Sequence, residues 1–162
     1  MNYALHKGYI PGAIGRIVEL HGTYYYRHSG FGVYFESKVA KGLAGFCDHF
    51  HEDRDGLWLA IAKEQIEGSI AIDGSHAATD GAHLRWFITS DAIRGTGAGN
   101  ALLSTAMEFC RSRQYGRVYL DTFVGLHAAR HLYEKFGFRL IHQKVGNQWG
   151  SKVNEQRFEL EL

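Results

Sequence analysis

The sequence predicts a mixed α/β fold, an α+β-type mixed sheet with helices on its faces, in the order α α β β β α β α β β. Apolar residues of the opening third recur at steps of three and four, the period of an amphipathic helix. From Leu57 they alternate, the period of a strand, and the two periods then exchange along the rest of the chain.

Ile10, Ile14, Ile17, Val18, His21, Tyr24 and Tyr25 draw the first helical stripe, with Pro11 suited to a first turn. After Ser29-Gly30, the series Phe35, Val39, Leu43, Phe46, Cys47 and Phe50 draws a second. Leu57, Leu59 and Ile61 alternate, as do Ile66, Gly68, Ile70 and Ile72, and a short turn near Glu64 joins them as an antiparallel hairpin. A Gly-, Ser- and Asp-rich loop from Asp73 to Gly81 leads to a third strand, His83 to Thr89. Helix returns from Gly97 to Arg113, where Ala98, Leu102, Ala106 and Phe109 share a face beside Leu103, Met107 and Cys110. Val118 to Thr122 reads as a strand, and Leu126, Ala129, Leu132, Tyr133 and Phe136 mark a helix stopped by Gly137. Phe138 to Val145 and the alternating residues Asn154 to Leu162 close the sheet.

The 162 residues are 45% hydrophobic and 22% charged, with 18 Lys+Arg against 17 Asp+Glu for a net charge of +1. These values fit one compact domain with a core and a ligand cleft, and they exclude disorder as the main state. A near-neutral balance supplies no field for extended contact with nucleic-acid phosphates, so no nucleic-acid partner is expected. Only Cys47 and Cys110 are present, outside any C-x-x-C pair. Neither a disulfide framework nor a thiolate zinc site follows, and the cluster Cys47 to His51 with Glu52, Asp53 and Asp55 matches no common zinc spacing. No metal is expected. Without a signal peptide or a membrane span, the expected location is cytoplasmic, with no membrane partner.

The stretch Arg94-Gly95-Thr96-Gly97-Ala98-Gly99-Asn100 carries the chemistry. It follows a strand and opens a long helix, so its glycines let several backbone N–H groups turn toward one phosphate while the helix dipole adds positive potential. Arg94 adds a formal charge at the rim. A Walker loop needs G-x-x-x-x-G-K-[ST], and no such Lys follows. A dinucleotide loop needs G-x-G-x-x-G directly at the strand end. Here the spacing is G-x-G-x-G, five residues intervene, and two helices and a hairpin precede it, although Asp121 lies near the distance of a ribose carboxylate.

Arg94 to Gly99 resembles the pyrophosphate-binding R/Q-x-x-G-x-G/A segment of the GCN5-related N-acetyltransferase (GNAT) family. Leu132-Tyr133-Glu134-Lys135-Phe136-Gly137-Phe138 resembles that family's L-Y-x-K-x-G-F element, one helix and one strand downstream. The stretch Leu84 to Glu159 is most similar to the acetyltransferase half of bacterial proteins that fuse this domain to a MarR-type DNA-binding domain, which this chain lacks. The resemblance implies one acetyltransferase domain over residues 1–162. It would bind acetyl-coenzyme A in a split between two parallel central strands and pass the acetyl group to an amine-bearing acceptor, a small molecule or a protein amine.

On this resemblance the N–H groups of Gly95, Thr96, Gly97, Ala98, Gly99 and Asn100 cradle the coenzyme pyrophosphate beside Arg94, and the backbone of Phe87, Ile88 and Thr89 pairs with the pantetheine arm. Tyr133 is the candidate proton donor to the departing thiolate; its other reading is a core aromatic at helical spacing. An ammonium must lose a proton before it attacks, and His83 is the candidate base, its other reading a solvated or structurally bonded histidine. Alternation places His83, Arg85 and Phe87 on one face. Leu126, seven residues before Tyr133, stands where relatives often carry asparagine, with His127 following. Tyr24, Tyr25, Tyr26, Arg27, His28, Trp58 and Trp86 are candidates for an acceptor pocket or for an aromatic core, and the opening helices for a homodimer surface. The rival function is a non-catalytic module that binds acetyl-coenzyme A or a partner protein and reports on it.

Overall fold

A computed structural model describes residues 2–162. Among them are seven strands and four helices: β1 (Ala4–Lys7), α1 (Ala13–Ser29), α2 (Val33–Asp48), β2 (Gly56–Ala62), β3 (Gln65–Asp73), β4 (Ala82–Thr89), α3 (Ala98–Ser112), β5 (Arg117–Phe123), α4 (His127–Lys135), β6 (Arg139–Gly146) and β7 (Val153–Glu161). The mixed α/β fold and the order of its helices and strands are as expected, with two changes at the N-terminus. The short strand β1 gives no apolar alternation to read, because it pairs with β2 while staying largely exposed. The first helix begins at Ala13 and not at Ile10, because Gly12 takes φ +91°, a left-handed conformation outside the helix that leaves Pro11 in the preceding turn.

The strands form one sheet in the order β1-β2-β3-β4-β5-β7-β6. All neighbours are antiparallel except β4 and β5, which α3 joins as a parallel crossover. The hairpin between β2 and β3 turns through Lys63 and Glu64, both left-handed, as a two-residue loop requires when its twist must match the strands.

Both faces of the sheet are covered. Leu57, Leu59, Ala71, Trp86 and Phe123 face α1 and α2, where they meet Ile17, Phe31, Phe35 and Leu43. Trp58, Ala60, Ile70, Ile72, Leu84 and Phe158 face α3 and α4, where they meet Leu102, Leu103, Ala106, Met107 and Tyr133. The central strands therefore bury nearly every side chain, as a sheet does when helices cover both faces.

Two local features shape the centre. Between β3 and β4 the register slips, with Ser69 opposite Ile88 but Ala71 opposite Arg85. The extra residue in β4 is a bulge, and Trp86 stands in it at φ +48°. A non-glycine residue there costs about 1–3 kcal/mol. The conformation is held by the Ser69 hydroxyl, which donates to the Trp86 carbonyl at 2.7 Å, and by packing of the indole against Phe46. The bulge overturns the expected alternation. Arg85 and Trp86 lie together on the α1/α2 side, and Phe87 turns to the opposite face toward Tyr133, with ring centroids 6.0 Å apart.

The second feature is an early end to pairing. β4 and β5 match only at Ala82↔Val118 and His83↔Tyr119, after which the strands part. Fully buried Leu102 on α3 packs in the core beside this split, against Gly68 of β3. Leu102→Ala lowers unfolding free energy by about 2–5 kcal/mol in urea titration, since removed contacts and the residual cavity add.

Candidate active site

Where β4 and β5 part, the β5-facing edge of residues 84–89 has no strand partner. Apart from the Thr89 carbonyl, which Arg94 reaches, its outward N–H and C=O groups are left to water or a ligand, so an extended chain can lie there as an added strand. A cleft of about 410 Å³ opens along it, between Phe87, Ile88 and Thr89 of β4, Gly99 of α3, and Leu126, Ala129 and Leu132 at α4. Tyr24 and His28 of α1 close the far side.

The glycine loop stands at the mouth. Gly95 and Gly97 take φ +80° and +87°, and Gly97 is the residue from which α3 starts. The first helical bond of α3 runs from the Ala101 amide to the Gly97 carbonyl at 3.0 Å. The amides of Ala98, Gly99 and Asn100 therefore precede any intrahelical partner and add to the positive end of the helix. The side chains nearby are engaged. Arg94 pairs with Asp91, donates to the Thr89 carbonyl at 3.2 Å, and lies over Tyr24. Thr96 donates to the Ile93 carbonyl, Ala98 is buried in the core, and Asn100 accepts from Lys135 of α4 at 3.2 Å.

A second cavity, of about 180 Å³, lies on the α1/α2 side of the split. Tyr25, Phe87, Leu126 and Ala129 line both spaces, so the cleft and the cavity share a wall. Tyr133 and His83 both line the cavity, which brings the two candidate catalytic groups to one chamber. Tyr133 is buried against Phe87, Phe138 and Phe158, and burial raises its phenol pKa well above the usual range. It is therefore a protonated donor at neutral pH.

His83 stacks on Tyr119 at a centroid distance of 4.4 Å, and its Nε2 lies 3.8 Å from Asp121 Oδ2. Burial, followed by the charge of Arg85, lowers its pKa to about 4 against the opposing pull of Asp121 and Asp73. At neutral pH the ring is uncharged and able to accept a proton. Asp121 is held by the fork of Arg157, at 2.9 and 3.2 Å, which gives this carboxylate a local partner in place of a ribose.

Of the aromatic candidates, Tyr25 and Trp86 line the cavity and Tyr24 and His28 the cleft. Trp58 instead packs on Phe109 beneath α3, and Tyr26 is exposed. Leu126 caps no amide with its side chain and forms part of the shared wall. In the acidic loop Asp55 is buried and accepts from the amides of His51 at 3.0 Å and Gly74 at 2.8 Å and from Arg54 at 3.1 Å, which ties the loop together.

Several wall residues stood outside the sequence reading. His21 of α1 is buried in the cavity wall, and its Nδ1 lies 2.8 Å from the Ile17 carbonyl. A carbonyl only accepts, so Nδ1 carries the proton and Nε2 keeps its lone pair. Burial lowers the His21 pKa to about 4. Arg85 of β4, Lys38 of α2 and Trp149 before β7 complete the wall. In the sequence His21 reads as one member of a helical stripe and Arg85 as one of an alternation; no local signal marks either as facing a cavity.

The chain belongs to the acetyltransferase (GNAT) family, whose model matches residues 16–138. In sequence it is 27% identical to human (Homo sapiens) N-acetyltransferase 8B over 101 residues, 60% of this chain and 44% of that protein. The chain spans about half the length of the curated relatives it matches. In fold it is similar to an acetyltransferase from Streptococcus agalactiae (TM-score 0.75, 20% identity, covering 99% of this chain and 98% of that one). It is likewise similar to a GNAT family acetyltransferase from Elizabethkingia anophelis with acetyl-CoA bound (TM-score 0.66, 16% identity, covering 99% of each chain). Among the described residues no helix is long and apolar enough to cross a membrane.

The buried His21 makes stability depend on pH. The folded state keeps its imidazole neutral down to about pH 4, whereas the unfolded chain protonates it near 6.5. Between these values the unfolded state binds the extra proton, so stability is full above about pH 6.5 and declines as pH falls toward 4. Urea titrations across this window lose about 3 kcal/mol through His21, and His21→Gln removes that share of the slope.

Proposed function

We propose that this chain transfers the acetyl group of acetyl-coenzyme A to the nitrogen of an amine by direct attack. The observation that carries the reading is the shared wall between the β4-edge cleft and the cavity holding Tyr133 and His83. One space suits an extended acyl carrier, the other a small acceptor, and they meet beside a protonated phenol. Family membership and the acetyl-CoA-bound neighbour support the same cosubstrate.

In this mechanism the pyrophosphate lies on the amides of Gly95, Gly97, Ala98, Gly99 and Asn100, that of Thr96 being given to the Ile93 carbonyl at 3.3 Å, and Arg94 adds charge. The pantetheine arm pairs with the free edge at Phe87, Ile88 and Thr89. A backbone N–H of that edge polarises the thioester carbonyl, which becomes negative as the amine attacks. The nitrogen gives its proton to His83, directly or through water. A C–N bond forms, the C–S bond breaks, and the thiolate takes the Tyr133 proton. Burial keeps the phenol protonated at neutral pH, and the same apolar wall raises the proton affinity of the departing thiolate, which the transfer requires.

The test is thiol release from acetyl-coenzyme A with a panel of amines, run beside calorimetric binding of the coenzyme. Amine-dependent release establishes transfer; binding without release with every amine favours a module that senses the coenzyme. Tyr133→Phe lowers kcat on the order of 10²-fold while coenzyme Kd stays within about twofold, because the hydroxyl acts on the leaving group and not on binding. Unchanged kcat removes the donor role. For His83→Gln, kcat at neutral pH falls roughly tenfold or more, and the acidic break near pH 4, where imidazolium can no longer accept a proton, disappears from the rate profile. A retained break assigns the base elsewhere.

A further inference from the structure

We infer that the acceptor is a small amine that also carries a carboxylate, an amino acid or close analogue, with its carboxylate on the guanidinium of Arg85. This deepens the transferase reading and rests on it.

Size is the first argument. A cavity of about 180 Å³ has room for roughly six water molecules, the scale of an amino acid and well below that of an oligosaccharide or a folded peptide. Charge is the second. The charged groups on its wall are Arg85, Lys38 and Asp121, and Asp121 is already held by both arms of the Arg157 fork. Lys38 sits at the exposed rim, donating to the Gln148 carbonyl at 2.5 Å. The two histidines of the wall are neutral at pH 7. On the wall itself positive groups outnumber negative ones, with Asp73 acting on Arg85 from outside it, which disfavours polycations and favours an amine with a compensating anion.

Arg85 is the specific element. Among the described residues it forms no ion pair, although it is half-buried and its nearest influences are Asp73, Tyr119 and Asp121. A partly desolvated guanidinium without a carboxylate is costly, and a planar anion compensates it with two parallel hydrogen bonds. The β4 bulge places it over the Trp86 ring, 4.1 Å from the centroid, which fixes the group by one face. α2 makes room for it: a Cβ on Gly42 would lie 3.3 Å from Arg85 Nη2 and 3.3 Å from Trp86 Cζ2. Tyr25, Phe35, Phe123 and Trp149 then offer an apolar wall to the rest of the acceptor.

The experiment compares matched pairs as acceptors in the thiol-release assay: phenylalanine against phenethylamine, and leucine against 3-methylbutylamine, with spermidine and an end-blocked lysine peptide alongside. The expected result is a kcat/KM at least roughly tenfold higher for the amino acid of a pair, lost in Arg85→Gln through a raised KM and partly restored in Arg85→Lys, with coenzyme Kd unchanged in both. Equal or better turnover of the decarboxylated amines, of spermidine or of the peptide overturns the acceptor class and leaves the transferase standing. A uniform loss of turnover in Arg85→Gln that spares the preference for the carboxylate makes Arg85 structural and overturns its assignment. Coenzyme binding with no turnover of any amine overturns both readings.

Discussion

Two backbone register pairs, Ala82↔Val118 and His83↔Tyr119, hold the parallel strands β4 and β5 together, and the rest of the site depends on pairing stopping there. Continued pairing would use the β4 edge for β5 and close both the cleft and the chamber beneath α1 and α2. Because it stops, a row of backbone groups stays open at the centre of a sheet whose neighbouring strands β2 and β3 are paired and buried. The neighbouring β3 pairs with β4 from the other side, so β4 stays in the sheet although one edge is bare.

The bulge at Trp86 is the second constraint, and its cost has a use. Local strain is repaid by the Ser69 hydroxyl and by the indole packing, and the extra residue puts Arg85 and Phe87 on opposite faces of one strand. Arg85 thereby reaches the α1/α2 side while Phe87 reaches the Tyr133 side. Ordinary alternation would have sent both to the same face.

Burial sets the protonation states around that gap. Tyr133 keeps its proton because a phenolate would be poorly solvated among Phe87, Phe138 and Phe158. His21 and His83 stay neutral for the corresponding reason, and Arg157 takes up the charge of Asp121. Among the described residues Arg85 and Lys38 stand on the chamber wall without an ion pair, with Asp73 and Asp121 acting on Arg85 through space.

Features built by neighbours in the chain were legible in the sequence. The helical stripes of α2, α3 and α4 follow from spacing alone, and so do the hairpin after Leu57 and the Gly137 stop at φ +98°. The glycine loop was legible too, because left-handed φ at Gly95 and Gly97 and the amides that follow are properties of a few adjacent residues. The exposed strand β1 was not, since only its pairing with β2 makes it a strand. Nor was the bulge, where the left-handed residue is a tryptophan and no glycine signals the turn. The sequence by itself determined the order of elements from α1 onward and the glycine loop that opens α3, both products of local conformational preference. Tertiary structure alone decided where β4 and β5 part and which distant residues, from His21 on α1 to Arg85 on β4 and Trp149 before β7, meet around the opening. Those contacts arise when packing layers bring far segments together, and no spacing along the chain encodes them.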